Sequence, residues 1–74
     1  MELYQIRPQM RVEVMRMPDC AIKKRLRQFG FLEGTVVQCR YARRNLVALE
    51  WMGTANAVRR KDLVGIQTRV IAWN

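Results

Sequence analysis

The rhythm of apolar and polar positions changes twice along this chain, from alternation to helical spacing and back again. From Met10 to Met17, the residues Met10, Val12 and Val14 alternate with Arg11 and Glu13, which predicts a half-buried strand. The phase slips at Met15 and Met17, so an irregularity or a strand end is expected there, and Pro18-Asp19 stops the strand. Beyond Asp19 the spacing is helical. Ile22, Leu26 and Phe29 fall within one narrow arc at roughly 100° per residue, while Lys23, Lys24 and Arg27 point the other way. Asp19 is suited to cap the N-terminus and Gly30 to end the helix in a left-handed conformation. A helix of about ten residues is marginal alone, so its three apolar side chains are expected to plug into the rest of the fold.

Alternation then resumes. Glu33-Gly34 forms a turn, and Thr35 to Tyr41 reads as a second strand with Val37, Cys39 and Tyr41 on one face. A basic loop, Arg43-Arg44-Asn45, leads to a third strand from Leu46 to Trp51. Met52-Gly53 joins it to a fourth, Thr54 to Arg59, as a tight hairpin. The inward face of that fourth strand stays open, because Ala55 and Ala57 compete with Val58 in the opposite phase. Arg60 to Leu63 can make a single helical turn, and Val64, Ile66, Thr68 and Val70 alternate as a last strand. Ile71 and Trp73 are out of phase and either close the core or lie exposed as a contact; before all this, Leu3, Ile6 and Pro8 form a short leading segment. The pattern is mostly β with one α-helix after the first strand. Curling into a small barrel removes the exposed edges that five short strands would otherwise leave unpaired.

At 74 residues there is room for one domain, spanning residues 1–74. No segment approaches the roughly 18 apolar residues of a membrane span. Met-Glu-Leu-Tyr-Gln lacks a signal-peptide pattern, so the expected location is cytoplasmic, where Cys20 and Cys39 are two reduced thiols. Cys39 reads as a small strand residue. Cys20, in a first helical turn near Lys23 and Lys24, is in surroundings that favour a reactive thiol, although nothing nearby serves as its base.

Charge changes the picture more than composition does. Fourteen Lys and Arg against six Asp and Glu give a formal net charge of +8, which implies an anionic partner such as nucleic acid, an acidic protein surface or a membrane face. Catalysis is not expected. The chain has no histidine and no serine, and Glu13, Glu33, Glu50 and Asp62 form no convincing acid–base pair. Gly30 and Gly34 lack the lysine-serine or lysine-threonine of a phosphate loop. Two cysteines nineteen positions apart make no metal-binding pair, so neither a cofactor nor a metal site is expected.

The succession Asp19-Cys20-Ala21, Arg25-Leu26, Phe29-Gly30-Phe31, Glu33-Gly34-Thr35 and Val58-Arg59-Arg60-Lys61-Asp62, between a leading and a terminal strand, resembles the ferrous-iron transport protein A (FeoA) family from about Leu3 to Val70. The resemblance implies an SH3-like small barrel with the helix inserted after the first strand. It also implies a small cytoplasmic accessory or regulator of bacterial ferrous iron uptake, whose partner is the GTP-binding membrane permease FeoB. Gln9 stands where the family usually has glycine, and Arg43-Arg44-Asn45 replaces a Gly-Asp-Pro-like loop, so a contact through that loop is not carried over.

Surface recognition is therefore the expected mechanism. Lys23, Lys24 and Arg27, with Arg40, Arg43 and Arg44, are the candidate cationic patch. Phe31, Leu32 and Trp73 are candidate apolar anchors, with core packing the competing role for Phe31 and Leu32. The alternative is a small basic nucleic-acid-binding barrel using Tyr41, Trp51 and Trp73. A repressor's SH3-like appendage is a third relation, one that lacks its DNA-reading helical part here.

Overall fold

The computed structural model describes residues 1–73. Five strands form one antiparallel sheet: β1 (Met10–Arg16), β2 (Val36–Ala42), β3 (Leu46–Trp51), β4 (Thr54–Arg59) and β5 (Gln67–Trp73), with helix α1 (Ala21–Gln28) after β1. Two 3₁₀ turns, Leu3–Gln5 and Arg60–Leu63, precede β1 and follow β4. The order across the sheet is β4-β3-β2-β1-β5.

The mostly β, SH3-like arrangement with an inserted helix is as expected, but the hydrogen-bonded ring is not closed. β4 and β5 are the two edges and do not pair with each other. Leu3 and Leu63, from the two 3₁₀ turns, are fully buried instead in the same core as Val12, Val14, Val37, Val47 and Leu49. The irregularity foreseen after Val14 is a register shift between Val14 and Arg16 against β5. A second shift, between Cys39 and Tyr41 against β3, explains why Tyr41 is exposed although it is in phase with buried Val37 and Cys39. Met52 and Gly53 both have positive φ, 52° and 76°, as the type I′ hairpin requires. The last strand starts at Gln67 and not at Val64, which ends the preceding 3₁₀ turn, and it runs on through Ile71; of the alternating set expected to point inward, Ile66 and Thr68 are buried, whereas Val64 and Val70 are exposed. Ile71 and Trp73 also lie exposed.

The helix departs most from expectation. Cys20, not Asp19, occupies the N-cap, and no side chain caps the first turn. Its end follows the glycine rule: Gly30 has φ 83°, its N–H donates to Arg27 carbonyl oxygen at 3.0 Å, and the Phe31 N–H donates to Leu26 at 3.1 Å. That closure drives Phe31 into the core, where its ring meets Trp51 edge-on at 5.0 Å between centroids. Trp51 Nε1 in turn donates to the Phe29 carbonyl oxygen at 3.0 Å. The result is a helix rotated by roughly a quarter-turn from the expected orientation. Lys23 is buried and Leu26 half-buried, while Ile22 and Phe29 are exposed at 43% and 68%. The proposition that Ile22, Leu26 and Phe29 together plug the barrel is thus wrong for two of the three.

Candidate partner-binding surface

The cations of the surface divide into those already engaged and those left free. Lys23 does not point outward: its Nζ donates to the Asp62 carbonyl oxygen at 2.7 Å, tying α1 to the second 3₁₀ turn. Arg27 is engaged by three groups, the Asp19 carboxylate at 3.7 Å, the Glu33 carboxylate at 3.6 Å and the Met17 carbonyl oxygen at 3.4 Å. Arg40 pairs with Glu50 across β2 and β3. Phe31 is core. Of the eight candidates named from the sequence, Lys23 and Phe31 are therefore removed from the surface, and Arg27 and Arg40 are already paired. Lys24, Leu32, Arg43 and Arg44 remain exposed. Trp73 is exposed too, with its Nε1 donating to the Pro8 carbonyl oxygen at 3.2 Å, beside β1.

The structure gathers a different cationic set around the end of β4. Arg60 fastens the β2–β3 loop there: its N–H donates to the Asn45 carbonyl oxygen at 3.0 Å and its Nε to that of Arg43 at 2.9 Å. Its Nη1 reaches the Tyr4 carbonyl oxygen at 2.6 Å, which makes Arg60 a structural clamp. The clamp ties the backbone of the Arg43-Arg44-Asn45 loop to the end of β4, where Arg59 and Lys61 stand, and none of Arg43, Arg44, Arg59 and Lys61 has a carboxylate within ion-pair distance among the described residues. The Arg43 guanidinium stands 5.8 Å from the centroid of the Tyr41 ring.

Between α1 and β4 runs a furrow of about 480 Å³. Ile22, Leu26 and Phe29 form its helical wall and Ala57 and Val58 its strand wall. Arg25, Arg59 and Lys61 line it as cations, against the single acidic residue Asp62. Phe29 also lines a second hollow of about 260 Å³ that continues along Thr54 and Asn56 of β4. Sequence reasoning missed Ile22, Phe29, Arg25, Arg59 and Lys61 as surface residues. The run Arg59-Arg60-Lys61 was a visible basic signal; the rotation that exposes Ile22 and Phe29 had none.

Two ionisable groups are shifted. The Glu33 carboxyl lies below its ordinary value, mainly because its own backbone N–H donates to it; desolvation opposes this as the next largest influence, and the Met17 N–H and the Arg27 charge restore the downward direction. Burial pushes the Cys39 thiol up, and the Arg60 charge opposes this only in part. Cys20 is exposed and Cys39 buried, both as free thiols. Among the described residues, no three His, Cys, Asp or Glu side chains cluster so as to hold a metal ion. No helix there is long and apolar enough to cross a membrane.

Residues 1–69 match the FeoA domain family. The chain belongs to the FeoA family. Membership implies a role in ferrous iron uptake. No curated protein matches it in sequence. Solved structures share the fold at low identity: a FeoA-like protein from Clostridium acetobutylicum superposes with a TM-score of 0.87 at 17% identity, covering 99% of this chain and 88% of that one. An iron uptake regulatory protein, FeoA, gives 0.86 at 14% identity, with 96% and 97% covered. A manganese-dependent transcriptional repressor gives 0.84 at 11% identity, and the match spans 40% of that longer chain. At such identities the likeness speaks for the FeoA-type fold alone.

Proposed function

We propose that this FeoA-family chain is a cytoplasmic accessory of ferrous iron uptake that docks on the GTP-binding membrane permease FeoB and regulates it, with no catalysis of its own. The observation that carries this reading is the family match over residues 1–69. The surface supports it: free cations at Arg43, Arg44, Arg59 and Lys61 suit encounter with an acidic protein face, and an exposed apolar wall beside them suits adhesion. Exposed ion pairs contribute only about 0–1 kcal/mol each, so charge sets the rate and orientation of docking while apolar contact sets its lifetime.

The test is capture of the soluble GTP-binding domain of the permease by the immobilised chain, run beside a salt titration with single-stranded DNA. Capture that weakens with salt, and weakens further when Arg43 and Arg44 are changed to Glu, is the expected result. Steeply salt-dependent DNA binding without capture of the permease domain overturns the reading.

A further inference from the structure

The two sheet edges are treated differently by the rest of the chain. Along β5, the leading segment covers the start of the outer edge: the Leu3 N–H donates to the Ile66 carbonyl oxygen at 2.9 Å, and the Thr68 N–H donates to that of Met1 at 2.8 Å. β4 has no such cover among the described residues. Its pairing with β3 starts at Trp51–Thr54, which flank the two-residue hairpin and so form a hydrogen-bonded pair. In an antiparallel ladder bonded and unbonded pairs alternate. Leu49–Asn56 and Val47–Val58 are then bonded, and the N–H and C=O groups of Ala55 and Ala57 and the N–H of Arg59 face outward with no partner among the described residues, the Arg59 carbonyl oxygen being taken up by the 3₁₀ turn that follows.

This unpaired edge borders the furrow against α1, so three features coincide along one line: free backbone donors and acceptors, an exposed apolar wall at Ile22 and Phe29, and cations at Arg25, Arg59 and Lys61. We infer that the furrow receives an extended, acidic segment of a partner protein, which adds to the sheet as a strand alongside β4. Backbone bonds to Ala55, Ala57 and Arg59 supply register. Alternate side chains of the segment then face opposite ways, apolar ones toward Ile22, Leu26 and Phe29, while Arg25, Arg59 and Lys61 along the furrow attract its acidic ones. A second copy of this chain fits poorly, since it would bring the same cations and the same net charge of +8 against themselves. The identity of the partner as a protein rests on the docking reading above.

The probe is a fluorescent eight-residue peptide alternating glutamate and valine, with a lysine–valine peptide as control, titrated against the full chain. Saturable binding of the acidic peptide alone is expected, with amide shifts centred on Ala55, Ala57 and Arg59. Ala57→Pro removes an outward N–H while sparing the bonds to β3 and should weaken binding at least tenfold, as should Phe29→Asp, whose side chain already stands in solvent. Circular dichroism of each variant checks that the fold is kept. Absence of binding up to about 1 mM peptide, binding that Ala57→Pro leaves unchanged, or displacement of the peptide by single-stranded DNA overturns the inference. The same variants separate it from the docking reading. Permease-domain capture that survives both substitutions overturns the furrow and leaves docking intact, whereas failure of the unaltered chain to capture that domain overturns docking.

Discussion

Gln9 has φ 73°, the left-handed region that a side chain enters at a cost of roughly 1–2 kcal/mol. Its N–H still donates to the Cys39 carbonyl oxygen at 2.9 Å, so the conformation is held by β2 and not by the residue's own preference. Gln9→Gly keeps that backbone bond and removes the strain, while it adds freedom to the unfolded chain. A net gain of up to about 1 kcal/mol is expected, seen as a higher midpoint in urea. The family resemblance already implies glycine at this position, and the positive φ supplies a physical reason for it. The cysteines make a second case. Cys39 is buried with a raised thiol pKa, its Sγ donating to the Tyr41 carbonyl oxygen at 3.4 Å, whereas Cys20 is exposed. Ellman's reagent should therefore titrate one thiol in the native chain and two in denaturant; loss of the native signal in Cys20→Ala completes the check.

At the scale of elements, α1 is attached to the body largely through polar contacts. Lys23 bonds the Asp62 carbonyl oxygen, Arg27 gathers Asp19, Glu33 and Met17, and Trp51 holds the Phe29 carbonyl oxygen. A periodicity argument assigns the buried face from apolar residues alone, so it selected Ile22 and Phe29 and sent Lys23 outward. A long cationic side chain can bury its stem and still reach a carbonyl oxygen, and that alternative leaves no mark in an apolar pattern. Lys23→Met retains length but leaves the Asp62 carbonyl oxygen unpaired, which should lower stability by about 1–3 kcal/mol in chemical denaturation. Glu33 gives this attachment a pH dependence. Because its carboxyl is lower in the folded chain than in the unfolded one, its contribution is present at neutral pH and is lost as pH falls below the ordinary carboxylate range and through the lowered value. The stability difference between the native chain and Glu33→Gln should then shrink on acidification; a constant difference from pH 7 to about pH 3 would count against the assigned cause.

For the molecule as a whole, one core serves strands, helix and both 3₁₀ turns, with Phe31 its largest fully buried side chain. Phe31→Ala is expected to cost about 3–5 kcal/mol, enough in so small a fold to lower the thermal midpoint sharply or abolish the cooperative transition. The same change tests which role Phe31 has. A surface anchor would lose partner binding and keep its stability, the opposite of what burial in this core requires. Charge also acts at this scale. With a net +8, the positions of the few carboxylates decide which cations are neutralised, and Glu13, Glu33 and Glu50 quench Arg69, Arg27 and Arg40 while the end of β4 stays bare.

By itself the sequence determined the first four strands, the hairpin at Met52-Gly53 and the helix end at Gly30. Each of these follows from local period, turn chemistry or residue type, which contacts distant in sequence do not alter. The bounds of β3 and β4 were legible to the residue for the same reason. Only the tertiary structure decided which side of α1 turns inward, that the ladder stops short of closing β4 on β5, and which cations stay unpaired. Those outcomes depend on partners far along the chain, such as Lys23 with Asp62 and Arg60 with Tyr4, and they place the furrow where the helix and the bare edge of β4 meet.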